Sequence, residues 1–158
     1  MSGAGAPTFE LHGLDSVRVA IIASSWHDVV MDSLIANAME TCAAAGADAT
    51  LVRVPGSFEL GVAAMRAAKS GTYDAIVALG VIIRGGTPHF EFVSQAATDA
   101  INRVALDTGI PVGFGVLTCD DDAQAIARAG LPNSAENKGR EAAEAALMTL
   151  QTLRSLGW

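Results

Sequence analysis

The chain of 158 residues has little positive charge: ten Lys and Arg stand against seventeen Asp and Glu, a formal net charge of −7. Nucleic-acid proteins present a basic face, and no Lys/Arg cluster occurs here, so that class is excluded. An anionic ligand must then be gripped by local groups, because the overall field does not attract it. Long apolar runs are also missing. The run at residues 77–83 is strand-sized and ends at Arg84, far short of the roughly 20 residues a bilayer crossing needs. No basic segment leads into an apolar stretch and cleavage site near the start. The expectation is a soluble cytoplasmic protein with neither membrane nor nucleic acid as partner. Cysteine is scarce too: Cys42 and Cys119 form no C-x-x-C or Cys/His pattern. No metal is expected, and a structural disulfide has no ground in a reducing compartment.

Apolar residues make up 51% of the chain, enough for the core of one domain. Residues 1–14 read as a flexible N-terminal arm, with a short extended piece at 8–12, and 15–158 as a single α/β domain. Four short β-branched or continuous apolar runs, at 17–25, 50–54, 74–83 and 112–118, read as buried strands. Between them lie helical patterns: one opened by Asp28 and ended by Gly46, one at 58–69, and one at 89–108 ended by Gly109. A short helix from residues 120–122 to Arg128 and a final helix opened by Ser134 with Asn137 complete the alternation. Four parallel strands flanked by helices make a doubly wound three-layer sheet, whose ligands sit beyond the carboxyl ends of the strands.

The informative residues follow those ends. Trp26 offers a flat apolar face with an N–H handle, or packs under the next helix. In Pro55-Gly56-Ser57-Phe58-Glu59, a turn precedes a helix start whose first N–H groups can donate to a ligand. Glu59 complements the helix dipole or accepts from hydroxyls, and Phe58 stacks or joins the core. After the third strand, Gly85 and Gly86 let the backbone approach an anion and Thr87 adds a hydroxyl. His89 opens a helix, where the dipole disfavours a positive ring, so it reads as a proton carrier or a surface residue. This is neither a Walker A loop nor G-x-G-x-x-G. Phe114 has room between Gly113 and Gly115, or is core. Arg128 is placed to clamp a phosphate or to favour a helix C-terminus. Lys138 reaches a ligand hydroxyl or lies on the surface.

Taken together, ASSWH (23–27), PGSFE (55–59), ALGVIIRGGTPHFEFV (78–93), GFGVLT (113–118) and RAGLPNSAENKG (128–139) resemble the 6,7-dimethyl-8-ribityllumazine synthase family. The resemblance runs from Val17 to about residue 153 and implies a flavodoxin-like fold. It implies a transferase of riboflavin synthesis that joins 5-amino-6-(D-ribitylamino)uracil to 3,4-dihydroxy-2-butanone 4-phosphate, with no cofactor. Carried over, Trp26 would stack on the pyrimidine. Ser57, Phe58 and Glu59 would bind it and its ribityl chain, and Val81, Ile82 and Ile83 would contact it through backbone. Gly86, Thr87 and Arg128 would hold phosphate, and His89 would transfer protons. Phe114 and Lys138 would come from a neighbouring subunit. The resemblance implies a homo-oligomer. The long segment at 131–136 favours a pentamer over an icosahedral 60-mer, and riboflavin synthase is a further partner to expect. The alternative is a non-catalytic flavin- or lumazine-binding or shell-forming protein of the same fold.

Overall fold

β1 (Arg18–Ser24) and β3 (Ala75–Ile83) are apolar almost throughout and buried on both faces, as strands covered by helices on either side must be. They pair in parallel, from Val19 opposite Ala75 to Ala23 opposite Leu79. β2 (Asp48–Val54) flanks β1 and β4 (Val112–Cys119) flanks β3, giving an all-parallel sheet in the order β2-β1-β3-β4. The computed structural model describes residues 10–157.

Side chains alternate across the strands and build two cores. α1 (Asp28–Ala44) and α5 (Lys138–Ser155) cover Val19, Ile21, Val77 and Leu79 on one face. α2 (Leu60–Lys69) and α3 (His89–Thr108) cover Ala20, Ile22, Ile76 and Ala78 on the other. A one-turn helix, Ser57–Glu59, precedes α2, and the five-residue α4 (Asp122–Ile126) follows β4. This is the three-layer flavodoxin-like arrangement expected. No helix among the described residues is long and apolar enough to cross a membrane.

The differences from expectation are local. β2 starts two residues before its β-branched run, because parallel pairing carries Asp48 opposite Arg18. It is an edge strand, so Leu51 and Val52 stay exposed. Asp28 does not cap α1. His27 occupies the N-cap position with a left-handed backbone (φ 62°) and no side-chain cap, and Asp28 lies in the first turn. α4 ends at Ile126, so Arg128 sits beyond it. The α5 cap is Asn137, whose side chain accepts from Arg140 N at 3.0 Å. Ser134 instead accepts from Leu131 N at 3.0 Å within the preceding turn. Most of the expected arm, residues 1–9, lies outside the described residues. Its inner end is packed: Leu14 is buried in the core and the His12 carbonyl accepts from Gln151 Nε2 at 2.7 Å.

Helix α5 reaches the sheet only because glycines make room. A Cβ on Gly113 would collide with the Ala142 carbonyl oxygen, and one on Gly139 with the Leu34 carbonyl oxygen in α1. A Cβ on Gly115 would lie 2.5 Å from Leu79 Cδ2. These glycines of β4 serve helix packing, and they do not make space for Phe114, which points to the opposite face. Gly85 and Gly86 differ: a Cβ on either meets nothing within 4 Å. Gly113→Ala is therefore expected to destabilise the fold by about 1–3 kcal/mol or more through overpacking. Gly86→Ala should stay within about 0.5 kcal/mol. Urea-unfolding midpoints of the two variants check this, and equal midpoints would remove the packing account.

Candidate active site

β1 and β3 lie side by side, yet β1 leads to a helix on one face and β3 to a helix on the other. Such a switch point opens a crevice at the carboxyl ends of the strands. A cleft of about 880 Å³ occupies it. Trp26 and His27 enter from β1, residues 56–59 from β2, and Val81, Ile82 and Ile83 from β3. Gly85, Thr87 and His89 follow from the loop into α3.

Trp26 and Phe58 line the cleft and are not core. Trp26 is 67% exposed and Phe58 64%, although both are large and apolar. Burial would stabilise such side chains by about 1.5–3 kcal/mol, so their position is costly unless something covers them. Gly56 holds this corner together. A Cβ there would lie 3.1 Å from Glu59 Oε2 and 3.8 Å from Trp26 Nε1, so a side chain at this position would press on the Glu59 carboxylate. Its backbone is extended (φ −145°), so the backbone angle does not require glycine. Ser57 is buried, and its hydroxyl has no hydrogen-bond partner among the described residues. It sits over β3 where Gly80 lacks a side chain: a Cβ there would be 2.6 Å from Ser57 Oγ. A buried unpartnered hydroxyl costs about 1–3 kcal/mol and marks a position where a ligand atom can bond.

His89 is the first residue of α3, whose start has Pro88 before it and no side-chain cap. Its ring is exposed beside Thr87 at the cleft. His27 also lines the cleft, with Nδ1 3.9 Å from Asp122 Oδ1. Its left-handed backbone is unusual for a non-glycine residue and is the kind of strain that gathers at ligand sites.

Four expected residues do not line the cleft. Gly86 lies on the exposed loop between two residues that do. Phe114 projects from β4 and is 46% exposed. Arg128 donates from Nη1 to the Gln124 carbonyl at 2.9 Å, and its own carbonyl accepts from Lys138 N at 3.0 Å. Arg128 and Lys138 thus form one neighbourhood, and it lies outside the cleft of the same chain.

Comparison with known proteins bears on this cleft. Residues 16–154 match the family model described as 6,7-dimethyl-8-ribityllumazine synthase. The chain is 60% identical over 157 residues to the protein of that name from Leifsonia xyli subsp. xyli, covering 99% of each. It is 55% identical to the one from Streptomyces coelicolor (99% of this chain, 97% of the other). To the one from Paenarthrobacter aurescens it is 56% identical over 160 residues, covering 98% of each.

The chain belongs to the 6,7-dimethyl-8-ribityllumazine synthase family. It is an enzyme of that type, a transferase of riboflavin synthesis, and the reading as a binding or shell protein without catalysis falls away.

Within this family member, Phe90, Phe92 and Val93 also line the cleft, and the sequence reading did not single them out. Their signal was present, since Phe92 sits one helical turn from His89 and Phe90 follows it. Among the described residues no cluster of three or more His, Cys, Asp or Glu side chains is arranged to hold a metal. Cys42 and Cys119 are buried free thiols, and burial pushes the Cys42 thiol up to about 11.

Lys138 is far from an ordinary surface lysine. Its Nζ lies 2.5 Å from Glu136 Oε2 and 2.7 Å from Glu141 Oε2. Burial works against its charge, but the hydrogen bonds to both carboxylates outweigh that and hold the ammonium above its ordinary value. The same hydrogen bond holds the Glu136 carboxyl below its ordinary 4.5. Below that ordinary value the unfolded chain binds the extra proton first, so stability rises with pH there. The contribution is complete above about pH 4.5 and is lost as pH falls through the depressed value. Glu136→Gln should therefore flatten the loss of melting temperature between roughly pH 6 and pH 3. Parallel wild-type and variant curves over that range would show that Glu136 contributes no such linkage.

Proposed function

We propose that the cleft at the β1/β3 switch point joins 5-amino-6-(D-ribitylamino)uracil to 3,4-dihydroxy-2-butanone 4-phosphate, releasing 6,7-dimethyl-8-ribityllumazine, phosphate and water. The observation that carries this reading is a single cleft lined by an exposed indole, an orphan buried hydroxyl, a carboxylate and a glycine–threonine–histidine loop. Trp26 stacks on the pyrimidine. Ser57 and Glu59 bond its polar edge and ribityl chain, Phe58 contributes apolar cover, and the ends of Val81, Ile82 and Ile83 contact the ring through backbone. Gly86 and Thr87 cradle the phosphate. Gly86 is supported by the open space around it, since no contact within the chain requires glycine there.

The chemistry begins when the 5-amino group attacks the ketone and, with loss of one water, forms an imine. Removal of a proton from the adjoining carbon expels phosphate and leaves an enol, which tautomerises to a ketone. The ribitylamino nitrogen closes on that carbonyl, and a second water departs. Both substrates are reactive, so most of the rate gain comes from holding them together. His89 carries protons during elimination and tautomerisation, a role worth about a hundredfold to ten-thousandfold.

Phe114, Arg128 and Lys138 complete the site from a neighbouring copy. The support is their absence from the cleft of their own chain and the exposed apolar side chains left uncovered by a single copy, Val62 and Phe92 among them. Patches of that kind mark contact surfaces. A ring of five copies closes such a head-to-tail contact, and the long 131–136 segment favours the free ring over a 60-mer. A cytoplasmic site of action is part of the same reading.

A mixture of both substrates tests the activity through product absorbance and released phosphate; the absence of both would end the proposal. His89→Ala should slow turnover yet keep measurable activity, whereas complete loss with intact binding and assembly would contradict the division of labour. Arg128→Ala should mainly raise KM for the sugar phosphate. Mixed rings of the two variants should regain about a quarter of wild-type activity, because a site formed between copies is intact when each side supplies its wild-type residue. Mixed rings no better than either parent would place both residues in one chain's site.

A further inference from the structure

The loop at residues 85–88 has almost nothing of its own to hold it. All four residues are exposed, and Gly85 and Gly86 have open space around them. Yet it carries Thr87 and delivers His89, and a phosphate cradle must be held closely to bind well. What spans it is Arg84, the residue just before it. The Arg84 backbone is still tied to the sheet, its N–H donating to the Cys119 carbonyl at 2.9 Å. Its side chain reaches across the loop. Nε donates to Asp120 Oδ1 at 2.9 Å, Nη1 donates to Glu91 Oε1, and the guanidinium lies 4.1 Å above the Phe90 ring. Glu91 and Phe90 belong to the first turn of α3, and Asp120 follows β4. One planar fork therefore joins both ends of the loop to the end of the neighbouring strand, as guanidinium geometry allows and an ammonium does not.

Asp120 is itself held. Its N–H donates to Gln124 Oε1 at 3.0 Å. The charges are matched: the hydrogen bond from Arg84 holds Asp120 below the usual carboxylate range and does the same to Glu91, while these partners hold Arg84 above its ordinary value. The three side chains are 43%, 54% and 64% exposed in Arg84, Glu91 and Asp120. Ion pairs in that setting add little to global stability. Their effect is local, on the freedom of the segment they span.

We propose that Arg84 is a positioning residue: by bridging Asp120 to Phe90 and Glu91 it holds loop 85–88 in shape, and with it Thr87 and His89. The inference rests on reading that loop as the phosphate cradle. Arg84 does not touch phosphate in this account: its Nε and Nη1 donate to Asp120 and Glu91, and its guanidinium lies over the Phe90 ring.

Steady-state kinetics, varying each substrate at saturating levels of the other, test this with native mass and melting temperature as controls. Arg84→Gln should raise KM for the butanone phosphate about five- to tenfold, with KM for the pyrimidine within about twofold and an unchanged assembly. Arg84→Lys should recover part of the loss. Glu91→Gln and Asp120→Asn, which keep Arg84, should each raise the same KM about two- to threefold, and they carry the test if Arg84→Gln fails to assemble. Unchanged sugar-phosphate KM and kcat in Arg84→Gln would overturn the proposal. So would a lowered KM in Glu91→Gln and Asp120→Asn, since a guanidinium released from its carboxylates would then be binding phosphate itself. Thr87→Val separates the two levels. Normal sugar-phosphate KM in that variant sinks the cradle reading, whereas a raised KM there beside a normal Arg84→Gln sinks the positioning role alone.

Discussion

The parallel pairing of β1 with β3 is the constraint on which the rest of this molecule depends. Both strands are buried on two faces, so each needs a helix above and below, and their own following helices go to opposite sides. The chain therefore parts at the carboxyl ends of these strands and leaves a crevice that no element fills. Trp26 and Ile83 both line it, although β1 ends level with Gly80 and β3 runs three residues further. The site is a consequence of strand order.

Close packing behind the sheet makes the crevice rigid. α5 lies against β4 and α1 through contacts that no side chain could enter, at Gly113 and Gly139. Backbone-to-backbone approach of this kind leaves few alternative positions, since interiors are packed to crystal-like density. Two sets of glycines outside the left-handed turns differ in physical role. Those at Gly80, Gly113, Gly115 and Gly139 are demanded by neighbours within the chain. Those at Gly85 and Gly86 have no such neighbour, and under the proposed function they leave room for the phosphate.

Charge is arranged locally in a chain whose net charge is −7. Arg84 is shared between Asp120 and Glu91, and Lys138 between Glu136 and Glu141. Under the proposed function an anionic substrate would be met by backbone, a hydroxyl and Arg128, with no help from the overall field. Carboxylate partners keep long side chains from wandering, which lowers the entropy cost of using them.

Much of this was legible in the residues alone. Continuous apolar runs demand a covered parallel sheet, and the three motifs after β1, β2 and β3 had to meet at one edge once the strands were parallel, so Trp26, Glu59, Thr87 and His89 could be named together. The caps of α1 and α5 could not be read in the same way. Several polar residues at each start had the chemistry to cap, and backbone geometry chose His27 and Asn137. The orphan state of the Ser57 hydroxyl, the clasp formed by Arg84, and the separation of Phe114, Arg128 and Lys138 from their own chain's cleft depend on distances between segments far apart along the chain. Periodicity carries the face on which a residue lies. It carries no information on which distant atom stands opposite, and that was settled only when helices and strands packed.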